Sequence, residues 1–136
     1  SATVQIYNGK SFYCPGTIKS GSDYRIKTSI TPISKTATTI CLNPVSYKRK
    51  NGLTDNTEFG FIAHEVQEHY PGLVTGYKDE VDASGNEVTQ SLNYLGIIPI
   101  AVNDIIRMDK EIKQLKEKNT ELENRLATIE EKLSKL

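Results

Sequence analysis

Apolar and core-type positions recur at Ile105, Met108, Ile112, Leu115, Asn119, Leu122, Leu126, Ile129, Leu133 and Leu136, with gaps that alternate between three and four. A stripe with that period, held for more than four heptads, predicts one strand of a coiled coil within a helix that begins near Tyr94. Pro99 falls in the first turns of that helix, where its missing N–H costs least. With Ile105 at position a, the g and e residues pair as Glu111 with Lys116, Lys118 with Glu123, and Arg125 with Glu130. Each pair is opposite in sign, which favours parallel, in-register chains, and Asn119 at an a position fits a device that sets register. Ile112 with Leu115 leans to two strands and Leu126 with Ile129 to more, so periodicity leaves the number of chains open.

Upstream the period shortens to two. Val4 and Ile6, Phe12 and Cys14, and Tyr24 and Ile26 alternate with polar residues between Asn8-Gly9, Pro15-Gly16 and Gly21, which predicts short strands and turns over 1–30. A hairpin is expected from the β-branched and aromatic run at 39–50 and the apolar run at 58–62, turning at Asn51-Gly52, with a short helical turn before it near Thr36 to Cys41. Ala63 to Tyr70 reads as a short helix stopped by Pro71-Gly72. Residues 73–78 and 87–92 flank Asp82-Ala83-Ser84-Gly85-Asn86 and predict a second hairpin. The fold class is therefore α+β: short strands and hairpins with a short helix, followed by a long C-terminal helix that forms a coiled coil.

Composition narrows the functions. The chain has 136 residues with 17 basic and 17 acidic side chains, a balance that argues against nucleic acid or an anionic membrane surface as partner. No run approaches the ~20 apolar residues of a membrane span, and the N-terminus lacks a signal-peptide layout. It opens in strand-like sequence without Met, as an internal stretch of something longer would. Cys14 and Cys41 read as plain buried or half-buried thiols. His64 and His69 in the run HEVQEH are five apart, so on a helix the imidazoles diverge by roughly 140° and one ion is out of reach of both. No metal or cofactor is expected. Lys48-Arg49-Lys50 reads as a solvated hairpin tip.

One stretch carries possible chemistry: Gly21-Ser22-Asp23-Tyr24-Arg25-Ile26-Lys27. A serine hydroxyl becomes a nucleophile when a neutral lysine takes its proton. In a regular strand Ser22 and Lys27, an odd number of residues apart, would face opposite ways. Contact then requires a bend after Ser22, or a lysine from an adjacent chain.

These residues resemble the S74 peptidase family, the self-cleaving intramolecular chaperone domain at the C-terminus of phage tailspikes and tail fibres of the endosialidase and neck-appendage type. Ser22-Asp23-Tyr24-Arg25-Ile26-Lys27 is similar to its Ser-Asp-x-Arg-(hydrophobic)-Lys signature, and Leu42 to Tyr47 to its Pro-Val-x-aromatic strand. Gly60 to Val66, followed by Pro71 and Val74, resembles its Gly-(hydrophobic)-Ile-Ala-Gln-Glu-Val block, with His64 in place of the usual Gln. Tyr94, Leu95, Ile98 and Pro99 resemble the opening of its long helix.

The resemblance implies a homotrimer, joined through the parallel coil, whose folding client is the upstream fibre or spike chain. It also implies a single-turnover serine endopeptidase acting in cis, with Ser22 and Lys27 as the catalytic dyad and Gly21-Ser22 as the scissile bond. Residues 1–21 would then be the end of the fibre, 22–103 the globular chaperone and 104–136 the coil. Assembly would take place in the bacterial host cytoplasm, with the upstream part on the virion. The alternatives are a permanent trimerisation module at a fibre tip that does not cleave, and the same module in a cellular membrane-tethered transcription factor precursor.

Overall fold

The computed structural model describes residues 5–7, 11–50 and 55–136, and side-chain environments from Phe12 onward. Strands β1 (Gln5–Tyr7) and β2 (Ser11–Tyr13) pair antiparallel with Ile6 opposite Phe12. Val4, Asn8-Gly9 and Asn51-Gly52 lie outside the described residues.

The expected first hairpin forms from β3 (Val45–Tyr47) and β4 (Glu58–Gly60), shorter than the run suggests, with Ser46 opposite Phe59. Gly60 leaves no room for a side chain, because a Cβ there would collide with the Tyr94 hydroxyl and crowd the Tyr47 ring at 3.2 Å. That hydroxyl accepts a hydrogen bond from the Phe61 amide at 3.0 Å, tying the hairpin to the start of the long helix.

The short helix is α1 (Ala63–His69), closed by the Tyr70 amide donating to the Val66 carbonyl at 2.8 Å. Pro71–Leu73 then forms a 3-10 turn into β5 (Val74–Thr75). β5 pairs with β6 (Ser91–Leu92), and a single bridge joins Val81 to Glu87. At the tip the Asp82 carboxylate accepts from the Ser84 and Asn86 amides at 2.8 and 2.9 Å, and Gly85 takes the left-handed turn position at φ +82°. These hydrogen bonds hold the Asp82 carboxyl below its ordinary range, the Asn86 side chain contributing most.

The long helix α2 (Ile97–Ser134) follows a 3-10 turn at Tyr94–Gly96 and has 38 residues. Pro99 occupies its first turn, where the amide has no intrahelical acceptor. Leu136 lies past the helix end.

The core is small. Leu42, Val66 and Ile97 form its centre, with Phe61, Tyr70, Leu73, Val74 and Leu92 packed around them, and Ile100 is buried one turn further along α2. Beyond Asp104 every residue of α2 except Arg107 is exposed within the single chain, including Ile112, Leu115, Leu126 and Ile129.

Three expectations change. Tyr24–Ile26 is a 3-10 turn and not a strand. Thr36 to Cys41 contains no helix: separate turns are closed by Ala37 N–H to Ser34 O at 3.1 Å and Leu42 N–H to Thr39 O at 3.0 Å. Cys14 is half-buried, but Cys41 is exposed, its thiol 3.2 Å from the Thr38 carbonyl on the outside of the turn.

Candidate active site

The bend that the Ser22–Lys27 spacing requires is built by local hydrogen bonds. Asp23, in extended backbone, caps the 3-10 turn by accepting from the Arg25 amide at 2.9 Å. The Arg25 guanidinium returns to the same carboxylate, Nε to Oδ1 at 2.9 Å and Nη2 to Oδ2 at 2.7 Å. Two backbone bonds complete the turn, Ile26 N–H to Asp23 O at 3.2 Å and Lys27 N–H to Tyr24 O at 3.1 Å. The Arg25 side chain, then its amide, hold the Asp23 carboxyl below its ordinary range, and the guanidinium is raised in turn. Both groups are solvated, so the ion pair acts mainly to select one turn geometry.

The turn reverses the chain enough for Lys27 Nζ to donate to Ser22 Oγ at 2.6 Å. Ser22 and Lys27 therefore meet within one chain, through the bend and not through a strand. Gly21 lies outside the left-handed region, so backbone strain is not what glycine supplies there. Its benefit is space: a Cβ would come within 3.3 Å of Ile26 Cδ1 on the far side of the turn. Residues 15–36 are all exposed, Ile18, Tyr24, Ile26 and Ile30 at two thirds or more.

The other singled-out residues take other roles. His64 and His69 lie on α1, half-buried and exposed respectively. No group of three or more His, Cys, Asp or Glu side chains among the described residues is placed to hold a metal. Lys48 pairs with Asp55 at 3.0 Å, and Arg49 with Glu58 at 3.0 Å over the Tyr47 ring, so two of the three cations in that run are engaged inside the hairpin. No described helix is long and apolar enough to cross a membrane.

Sequence reasoning missed a second polar constellation. Asp104, buried on α2, accepts from the Thr39 amide and the Thr39 hydroxyl, both at 2.6 Å, and from Arg107 Nη2 at 2.6 Å. Around it Asn103 donates to the Ser34 and Ala37 carbonyls, and Arg107 Nη1 to the Lys35 carbonyl. Tyr70 receives the Thr38 amide on its hydroxyl oxygen and donates to the Thr38 carbonyl, at 2.9 and 2.8 Å. The Thr39 hydroxyl, then its amide, hold the Asp104 carboxyl down at about 2. The one sequence signal was the i,i+3 spacing of Asp104 and Arg107, which a solvated helix pair would also show.

Residues 22–75 match the family model Peptidase_S74, described as the chaperone of endosialidase. Over that stretch, less than half of its length, the chain is similar to the S74 chaperone family. The matched stretch opens on Ser22 and runs through the Tyr24–Ile26 turn, the Thr38–Thr39 loop, β3, β4 and α1 to the end of β5. The family's description names a chaperone role, and the family is associated with autoproteolysis. No curated protein matches the chain.

Proposed function

We propose that this chain is a C-terminal intramolecular chaperone that brings three fibre or tailspike chains together in the host cytoplasm. It is then released by cutting itself at Gly21-Ser22. The observation that carries this reading is the 2.6 Å contact of Lys27 with Ser22 beside Gly21, at the opening of the S74 match.

Neutral Lys27 takes the Ser22 hydroxyl proton as Oγ attacks the Gly21 carbonyl carbon. The tetrahedral oxyanion collapses with loss of the Gly21–Ser22 C–N bond, and the Lys27 ammonium returns its proton to the departing Ser22 amine. The product is an ester between Gly21 and Ser22 Oγ. Water hydrolyses it, leaving a carboxylate on Gly21 and a free amine and hydroxyl on Ser22. The reaction occurs once per chain and acts on no other substrate.

Association through a coil is supported by the apolar seam from Ile105 to Leu133, which lies exposed along α2, and the family resemblance supplies the number three. Each such side chain contributes about 1.5–3 kcal/mol if fully buried, so a shared seam is strongly favoured over solvated helices. The open setting of residues 15–36 suggests why assembly precedes cutting. Electrostatic interactions with an amine and an oxyanion intermediate strengthen once water is excluded, and neighbouring chains can cover the five exposed large apolar side chains there, Ile18, Tyr24, Ile26, Ile30 and Ile33.

Intact-mass measurement of purified protein tests the reading. Two fragments split at Gly21-Ser22 are expected from the wild type and one intact chain from Ser22→Ala. A Ser22→Ala chain that still splits there removes Ser22 as nucleophile. An intact wild-type trimer after long incubation favours a permanent trimerisation module instead.

A further inference from the structure

The first turns of α2 have two occupied flanks and one bare one. Counting back from Ile105, Ile98 and Ala101 extend the a and d positions one heptad into the globular region, Ile98 being 57% exposed. The g and c positions here, Ile97, Ile100, Asp104 and Arg107, are covered by the chain's own core and by the loop at 34–41. Asn103 at f is covered by the same loop, and beyond it stand Ile106 at b, 53% exposed beside the chain's own Lys35, and Val102 at e, 47% exposed and furthest from the loop.

Further down the helix the e positions are Lys116, Glu123 and Glu130, each opposite in charge to the g residue that would face it. At Val102 this pattern gives way to an apolar residue, at the level where g is taken up by the chain's own globular part. The charge code begins two heptads below Val102 with Lys116; Asp109, at the e position between them, pairs with Lys113 of its own helix at 2.7 Å.

In a parallel coil the e flank of one helix faces the g flank of the next, and in-register chains place equal residue numbers at equal height. The g flank of each helix at this level is covered by its loop 34–41, whose Thr39 is fixed to Asp104. Val102 and Ile106 bracket that height within about 3 Å on either side. Next to Thr39 in the loop stands Ile40, 73% exposed.

We infer that Val102 and Ile106 form a docking strip for the 38–41 loop of a second copy, with Ile40 as the side chain that seats on it. The strip rests on the parallel-coil reading and extends it. The coil joins the helices, and this contact fixes each globular part against the neighbouring helix. Asp104 then has a second consequence, because holding Thr39 in place presents Ile40 outward to the adjoining copy.

The test is a Cys pair, Ile40→Cys with Val102→Cys, in a full chain also carrying Cys14→Ser and Cys41→Ser, oxidised and run on a non-reducing denaturing gel. Covalent species of two and three chains that collapse on reduction are expected. The molar mass of the unoxidised parent is measured by light scattering. A trimeric parent giving only single-chain bands overturns the docking strip while leaving the coil intact. A monomeric parent removes the coil reading and this inference together. As a second measurement, Val102→Gln/Ile106→Gln should keep the trimer mass through the seam from Ile112 onward. Hydrogen exchange of the amides at 39–42 should accelerate about tenfold, and unchanged exchange in that trimer also overturns the proposal.

Discussion

The dyad turn and the Asp104 clasp are both organised by a carboxylate that gathers donors, yet they differ in range and exposure. Asp23 gathers the amide and guanidinium of a residue two positions away, and the contact it prepares joins residues five apart. Asp104 gathers Thr39 across 65 residues, and the neighbouring Arg107 reaches the Lys35 carbonyl across 72. The first arrangement is solvated and can form in a chain that has folded nothing else. The second exists only when the helix has packed on the core. On the proposed reading, in which cutting follows assembly, the delay does not come from keeping Ser22 and Lys27 apart. What a solvated turn lacks is the dry, fixed surrounding that makes a proton transfer and an oxyanion favourable.

Several changes would break or sharpen that contrast. The largest effect is expected from Ile112→Asp with Leu115→Asp. Two charges in the seam should abolish the trimer by light scattering and the Gly21-Ser22 cut by intact mass, although the turn itself is untouched; efficient cutting by a monomer would show that the turn suffices alone. Lys27→Ala should leave mass and melting temperature of the trimer unchanged while the chain stays uncut, since the dyad supports no packing.

Asp104→Ala attacks the other pole. It leaves the Thr39 amide and hydroxyl without their acceptor and should lower the melting temperature of an uncut Ser22→Ala protein by several degrees. The same carboxylate sets an acid limit. Its folded pKa of about 2 lies below the ordinary 3.8, so its stabilisation is complete above about pH 4 and is lost as pH falls toward 2. Urea midpoints measured over that range should decline in the parent more steeply than in Asp104→Asn. The smallest effect belongs to Asp23→Ala, which removes a cap from an exposed turn. Cutting should slow by a few-fold to about tenfold with no change in melting temperature, and an unchanged rate would mean that the turn closes without its cap.

Periodicity was enough to place the elements whose side chains answer to near neighbours. The 3.5-residue repeat located α2, Pro71-Gly72 ended α1, and the turn cluster at 82–86 located the second hairpin, because capping, turn chemistry and helical stripes are short-range. The Ser22–Lys27 pair was legible as a spacing that demanded a bend, and the bend proved to be a capped 3-10 turn where alternation suggested a strand. Short apolar alternation fails here because Tyr24 and Ile26 are exposed and nothing selects a strand face for them.

The sequence by itself thus determined a helix with an apolar seam, the hairpins and a serine and lysine five residues apart. Only the tertiary structure decided that Asp104 is buried and not a surface charge, that Thr36–Cys41 is held open as turns, and that Val102 and Ile106 stand bare. The reason is physical: a carboxylate at a helix position has the same local propensity in either setting. Whether it meets water or Thr39 depends on where a loop 65 residues away comes to rest.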